Sequence, residues 1–345
     1  VTLEGGILVT SSGSAFATTT ENAATLNIDG GVELSSSVTS GTATFRIFGT
    51  GVTNVNSVIS DVSAGGTLAV QITQGASAVV NMNEVHTYNG TTTIGNGTLT
   101  VDSINNGGSA SAIGTNNTVI FGLNFGTDNV GILQIANSST SNRNLRFDAA
   151  GGSAINASNG GGIDVAAGQT VEISGQIQRG GIAAGIARFE KRGVGTLNLT
   201  RVGANTFDGQ VYVQDGTLLV NTNLTAVTAL PGLQTFVQVE SGGTLGGSGQ
   251  VTEIRLLNAG KVAPGNSPGE LTASSLVWDA GGSFDFELGV DNTIANSDRL
   301  TLTGALTKGV AGPPGSWVFN FSDGVGARTL GETYTLIAFG SQSGF

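Results

Sequence analysis

Two stretches of sixteen residues align without a gap: HTYNGTTTIGNGTLTV at 86–101 and NTFDGQVYVQDGTLLV at 205–220. Thr87 faces Thr206, Gly90 faces Gly209, and Gly97-Thr98-Leu99 faces Gly216-Thr217-Leu218. The apolar positions agree as well: Tyr88 with Phe207, Ile94 with Val213, Val101 with Val220. Each copy reads as strand, turn, strand, turn, strand, with Asn-Gly or Asp-Gly at the turns. GGTLGGSGQV at 242–251 and GGTLAV at 65–70 echo the Gly-Thr-Leu element. One such unit is too short to bury its own apolar face, whereas units stacked on one another bury a continuous core. Stacked repeats of short strands are therefore the architecture to expect.

Composition agrees. No useful window carries a 3.6-residue apolar period; ATFRIF (43–48), TLAVQI (67–72) and TVEISGQI (170–177) are instead β-branched and alternating. Gly, Asn, Ser and Asp separate these runs, the mark of an all-β chain. Hydrophobic residues make up 39 %, enough for a core, while charged residues are only 11 % against the usual ~25 %. The surface must then be built from Ser, Thr, Asn and Gln. With 13 basic and 24 acidic residues the net charge is −11, and no basic stripe marks a nucleic-acid partner. Cysteine is absent, which suits passage through an oxidising compartment. No apolar run approaches the ~18 residues of a membrane span.

The second copy extends upstream as Gly193-Val194-Gly195-Thr196-Leu197-Asn198-Leu199-Thr200. Together these units resemble the autotransporter-associated β-strand repeat, roughly G-x-G-T-L-x-L-x-G-x-N-T-Y-x-G-x-T-x-V-x-x-G-T-L. GGGIDVAAGQTVEISGQI (160–177) and VAPGNSPGEL (262–271) also resemble stretches flanking that repeat, so the resemblance covers roughly 65–345. It implies an exported, right-handed parallel β-helix at the cell surface. Neither a translocating β-barrel nor a sorting segment occurs within these residues, so the export route stays open. The expected layout is first rungs over 1–64, a coil over 65–275 with Leu99, Leu197, Leu218, Val220 and Leu245 pointing inward, and a C-terminal β cap over 276–345. That last region holds both tryptophans, Trp278 and Trp317, and alternates strictly in SFDFELGV and SWVFNFSDG.

Several residues suggest chemistry at first sight. GNSPG at 265–269 is a literal G-x-S-x-G, the nucleophile elbow of α/β-hydrolases. Yet the oxyanion hole needs the N–H of the residue after the serine, and that residue is Pro268. The single histidine, His86, lies far upstream. Ser267 therefore reads as a turn residue, with Pro264-Gly265 and Pro268-Gly269 each suited to the centre of a type II turn. His86 stands where the other copy has Asn205; alone and without cysteine it makes a poor metal site.

Polysaccharide-cleaving β-helix enzymes use carboxylate clusters, with Lys or Arg as base in lyases. Asp285 and Glu287 share a strand face at a spacing of two, as would any solvent-facing pair. The lysines are Lys191, Lys261 and Lys308, and Lys191-Arg192 falls at the start of a repeat. Asp291, Asn292, Asn296 and Asp298 form an oxygen-rich loop whose spacing departs from the Ca²⁺ loop pattern. No catalytic, cofactor or metal residue is assigned from these. The expectation is a non-enzymatic extracellular or cell-surface structural protein: a stalk, passenger, matrix component or filament subunit. A homo-oligomer or homopolymer is its expected form, with residues 1–10 as the end that docks on the next copy. The alternative is an adhesin holding polysaccharide or surface glycans, and the last rival is a polysaccharide-processing enzyme.

Overall fold

The computed structural model describes every residue except 19–23, 62–64, 74, 124–128, 150–158, 182–185, 226–233, 314–315 and 345. Among the described residues there are strands and turns and no helix, so none long and apolar enough to cross a membrane. The chain divides into two compact units, Val1–Phe189 and Glu190–Phe345. Each is a parallel β-helix: the chain winds through three walls, and every strand pairs in parallel with one a turn of the coil away.

In the first unit one wall stacks Ser14–Thr18, Thr42–Phe48, Thr67–Thr73, the front of Thr92–Val101, Thr118–Phe121, Asn144–Ala149 and Ile177–Gly181. A second wall stacks Thr2–Leu3, Thr25–Ile28, Val52–Val55, Val79–Met82, the back of Thr92–Val101, Val130–Ile135 and Asn159–Val165. The third carries Ile7–Val9, Val32–Leu34 and Ile59–Asp61, and farther along Ser139–Ser141 on Thr170–Ile173.

Alternation decides which residues face inward, and register turns them into columns. Ile47, Ile72, Ile94, Phe121 and Phe147 follow one another in register and are fully buried. Each such side chain withdraws enough apolar surface to stabilise the coil by ~1.5–3 kcal/mol. The aromatic end of the column stacks, with Phe121–Phe147 and Phe147–Phe189 centroids 4.9 and 4.7 Å apart. Outside, the same register builds an amide ladder. Asn81 Nδ2 donates to Asn54 Oδ1 at 2.7 Å, and Asn54 Nδ2 to Asn27 Oδ1 at 2.8 Å.

Two features depart from simple strand-and-turn. The turn expected at Asn96-Gly97 is a bend inside the single strand Thr92–Val101, where the register slips between Ile94 and Asn96. Gly97 takes φ 78°, the left-handed region that only glycine adopts freely, and the strand thereby passes from one wall to the next. The loop after it, 102–117, is held from within by Arg143, a buried guanidinium. It donates to the carbonyls of Asn105 (2.8 Å), Ser109 (3.1 Å), Gly114 (2.7 Å) and Asn116. Carbonyl dipoles thus replace the water this cation loses.

The second unit repeats the plan. One wall stacks Thr196–Leu199, Gly216–Val220, Gly243–Gly247, Lys261–Pro264, Ser283–Leu288 and Val318–Asp323. Another stacks Gln210–Val213, Phe236–Val239, Glu253–Leu256, Leu276–Trp278, Ala305–Lys308 and Ser341–Ser343. The third runs Gln250–Val251, Glu270–Ala273, Arg299–Leu302 and Ile337–Ala338. The Gly-Thr-Leu elements stack directly: Gly216-Thr217-Leu218 lies on Gly243-Thr244-Leu245, with Thr196-Leu197 on the other side. Leu99, Leu197, Leu218, Val220 and Leu245 all point inward and are fully buried. GGTLAV differs, because Thr67-Leu68 pairs with Thr42-Ala43 on the wall opposite in sequence logic to that of Thr98-Leu99.

The region from 276 adds further rungs to these walls. Phe284 and Phe286 are buried beneath Phe319, whose ring centroid lies 5.8 Å from that of Phe284 and 5.2 Å from that of Trp278.

Candidate ligand-binding groove

On the outer face of the wall that begins at Thr196–Leu199, the positions after inward Leu197, Leu218, Leu245 and Val262 form their own column: Asn198, Leu219, Gly246, Ala263. Gly246 has no side chain, and a Cβ there would meet Leu219 Cδ2 at 3.0 Å and the Ala263 carbonyl at 2.8 Å. The Leu219 side chain therefore lies over Gly246, close to Ala263. Beyond it the chain leaves the wall through the Pro264–Gly269 turn, and strand Ser283–Leu288 presents Asp285 and Glu287 outward, as alternation predicts. These pieces enclose a groove of about 470 Å³. Leu219, Ala263 and Pro264 give it an apolar floor; Asn266, Ser267, Asp285, Glu287 and Ser322 give it a polar rim.

Residues that the sequence offers separately meet here. The exposed Ser267 hydroxyl donates to Glu287 Oε1 at 3.0 Å. Asp285 pairs with Lys261 at 2.8 Å and accepts from Asn320 Nδ2 at 2.8 Å. Asp298 stands behind the rim. Its carboxylate accepts from the Gly269 N–H at 2.9 Å and the Glu287 N–H at 2.8 Å, pinning turn to strand. Burial pushes the Asp298 carboxyl up to about 6, against the two backbone donors, which act to lower it. Asn221 ties the rim to its neighbours, donating to Asn198 Oδ1 at 2.8 Å and Asn266 Oδ1 at 3.2 Å.

The turn itself is half as expected. Gly265 at φ 92° suits the third position of a type II turn. The second turn differs: the left-handed residue is Ser267 at φ 61°, not Gly269, and the Ser267–Pro268 bond is cis. The Gly269 N–H is committed to Asp298, which fixes that glycine in a different conformation. Ser267 is a turn residue whose hydroxyl meets a carboxylate and no imidazole. The serine–imidazole pair of a nucleophile elbow is not assembled at this turn.

The remaining candidates lie elsewhere. His86 is buried in the first unit, where its Nδ1 accepts the Ile59 N–H at 3.1 Å. Desolvation lowers its pKa to about 4, so the ring is neutral near pH 7. The loop 291–296 closes on itself: Asp291 Oδ1 accepts from the Thr293 hydroxyl at 2.6 Å, the Thr293 N–H at 2.9 Å and Asn296 Nδ2 at 3.1 Å. These bonds, the Thr293 hydroxyl foremost, lower the Asp291 pKa. Lys191 is buried and donates to the carbonyls of Arg192, Gly193 and Asp215, and Lys308 lies over the Trp317 ring at 4.2 Å. Among the described residues no three His, Asp or Glu side chains converge as a metal site would require.

The chain was compared with known proteins. Over 265 residues, 75 % of its length, it is 31 % identical to the "Adhesin BmaC autotransporter" of Brucella suis biovar 1 (strain 1330). The chain spans 7 % of that protein's length. No protein-family model matches it. The similarity is a distant one, to an autotransporter adhesin.

Sequence reasoning reached the rim of the groove and missed the floor. Asp285 and Glu287 follow from alternation. The signal for the floor was present in the residue after each Thr-Leu pair, Asn198, Leu219 and Gly246, once the copies are stacked rather than merely aligned.

Proposed function

We propose that this chain is a length of the exported passenger of an autotransporter-type adhesin, displayed at a bacterial surface and acting by binding rather than catalysis. The observation that carries the proposal is the 31 % identity to an autotransporter adhesin over 75 % of the chain. The surface supports it: amides and hydroxyls arrayed in register give long rows of hydrogen-bonding groups with little charge. A non-enzymatic role is supported by the state of the candidate nucleophile and base. Ser267 meets a carboxylate, and His86 is committed to the Ile59 backbone. Extracellular polysaccharide or surface glycans are the partners such a surface suits.

Adhesion of coated beads tests the proposal. Beads carrying the folded chain are expected to attach to host-cell monolayers several-fold more than beads carrying the same chain denatured. Equal attachment of both would remove the adhesin reading.

A further inference from the structure

The groove of the second unit has the two elements that recognise a sugar ring. Its floor of Leu219, Ala263 and Pro264 offers an apolar surface to the C–H face of a pyranose. Its rim is unusually rich in acceptors, with Asn266, Ser267, Asp285 and Glu287 on adjoining segments. Its size falls within the ~300–1,000 Å³ of ordinary ligand sites. The groove runs across neighbouring rungs, from Leu219 to Ser322, a direction along which a chain of rings can lie.

Charge narrows the ligand class. Asp285 has a cation beside it in Lys261. Among the described residues the Glu287 side chain meets the neutral Ser267 hydroxyl and no cation, and it lies on the same strand face as Asp285. The Asp298 carboxyl adds to the negative field from behind. Uronic or sulfated chains would be repelled by this rim, and a neutral chain would leave Glu287 without a charged partner. We propose that this groove binds a polysaccharide bearing protonated amino groups, glucosamine-like in chemistry, with the ammonium at Glu287 and the ring face on Leu219 and Ala263. The proposal rests on the adhesin reading and gives it a ligand class.

Titration of the intact chain with short glucosamine oligomers, followed by calorimetry, is the test, with N-acetylated oligomers, oligogalacturonate and spermidine as parallel probes. Binding of the glucosamine oligomers alone is expected. Glu287→Gln keeps the acceptor for Ser267 while removing the charge, and is expected to weaken binding about tenfold, the size of one charge-assisted hydrogen bond. Ala263→Gln fills the floor from an outward strand position and is expected to abolish binding. Unchanged circular dichroism shows that both variants fold. Equal binding of the N-acetylated oligomers, equal binding of spermidine, or indifference to both variants would overturn the proposal. So would absence of any saccharide binding by a chain that still attaches beads to cells, and that outcome leaves the adhesin reading standing. Loss of both would sink the two together.

Discussion

At the scale of single residues, the aligned repeat holds a controlled comparison. His86 and Asn205 occupy the same position in the two copies, and both are buried. Asn205 Nδ2 donates to Thr222 Oγ1 at 3.0 Å and to the Asn223 carbonyl at 2.8 Å. His86 accepts the Ile59 N–H through Nδ1, while its buried Nε2 has no hydrogen-bond partner among the described residues. Only the histidine titrates. Its pKa falls from 6.5 to about 4 on folding, so between those values the unfolded chain holds a proton that the folded chain does not. Stability of the first unit is then full above pH about 6.5, declines as the pH falls, and levels off below about 4, for a total loss of about 3 kcal/mol. His86→Asn supplies Oδ1 as an acceptor without a titrating group. Urea unfolding of the first unit at pH about 7 and about 4.5 is expected to show a marked drop in the parent and a much smaller one in the variant. An equal drop in both would place the acid sensitivity elsewhere. The sequence did not foretell that the His86 ring is buried, because its partner Ile59 belongs to the preceding coil.

Among elements, the Gly-Thr-Leu rung shows what a strand owes to its own pattern and what it owes to its neighbours. Alternation alone assigns Leu218 to the interior and Thr217 to solvent, and both sit so. Leu218 is clasped between Leu197 and Leu245 in register. Leu218→Ala leaves a cavity that strands pinned on both sides cannot close, and is expected to cost about 2–5 kcal/mol. Thr217→Ala on the outer face is expected to change stability by less than about 0.5 kcal/mol. Urea unfolding of the two variants measures the contrast, and similar losses would mean that the ladder, not the core, decides the rung. What stayed illegible was the choice of wall. Stacked positions are not evenly spaced along the chain: Thr217 pairs with Thr244, but Thr244 pairs with Lys261. Loops of unequal length set those partners, and nothing in a strand's alternation reports the length of the loop before it. For the same reason Asp285 and Glu287 were visible as a pair, while Ser267 at Glu287 and Leu219 beside Ala263 were not.

At the scale of the whole chain, association between copies of these 345 residues is an expectation that one strand edge makes testable. Strand Val318–Asp323 has a ladder partner on one side, Ser283–Leu288, and none on the other among the described residues. Its apolar side chains remain partly open, with Phe319 39 % and Phe321 49 % exposed. In a preparation of these 345 residues, two aromatic rings beside that strand edge are an arrangement prone to pair with another chain, whereas a further rung following it in a longer passenger would cover it. The opposing force is weak: a net charge of −11 over 345 residues repels at low salt and is largely screened beyond ~8–10 Å at physiological ionic strength. Association through this edge is therefore expected to rise with protein concentration and with salt. Phe321→Lys is the informative variant. Lysine on an edge strand is a common natural guard against pairing, and Phe321 is the more exposed ring, whereas Phe319 packs on Trp278 and Phe284. Sedimentation velocity across a concentration and salt series is expected to show oligomers in the parent that diminish in Phe321→Lys, with far-ultraviolet circular dichroism unchanged. A parent that stays monomeric at every concentration and salt, or oligomers that persist in the variant, would show that this edge does not mediate self-association.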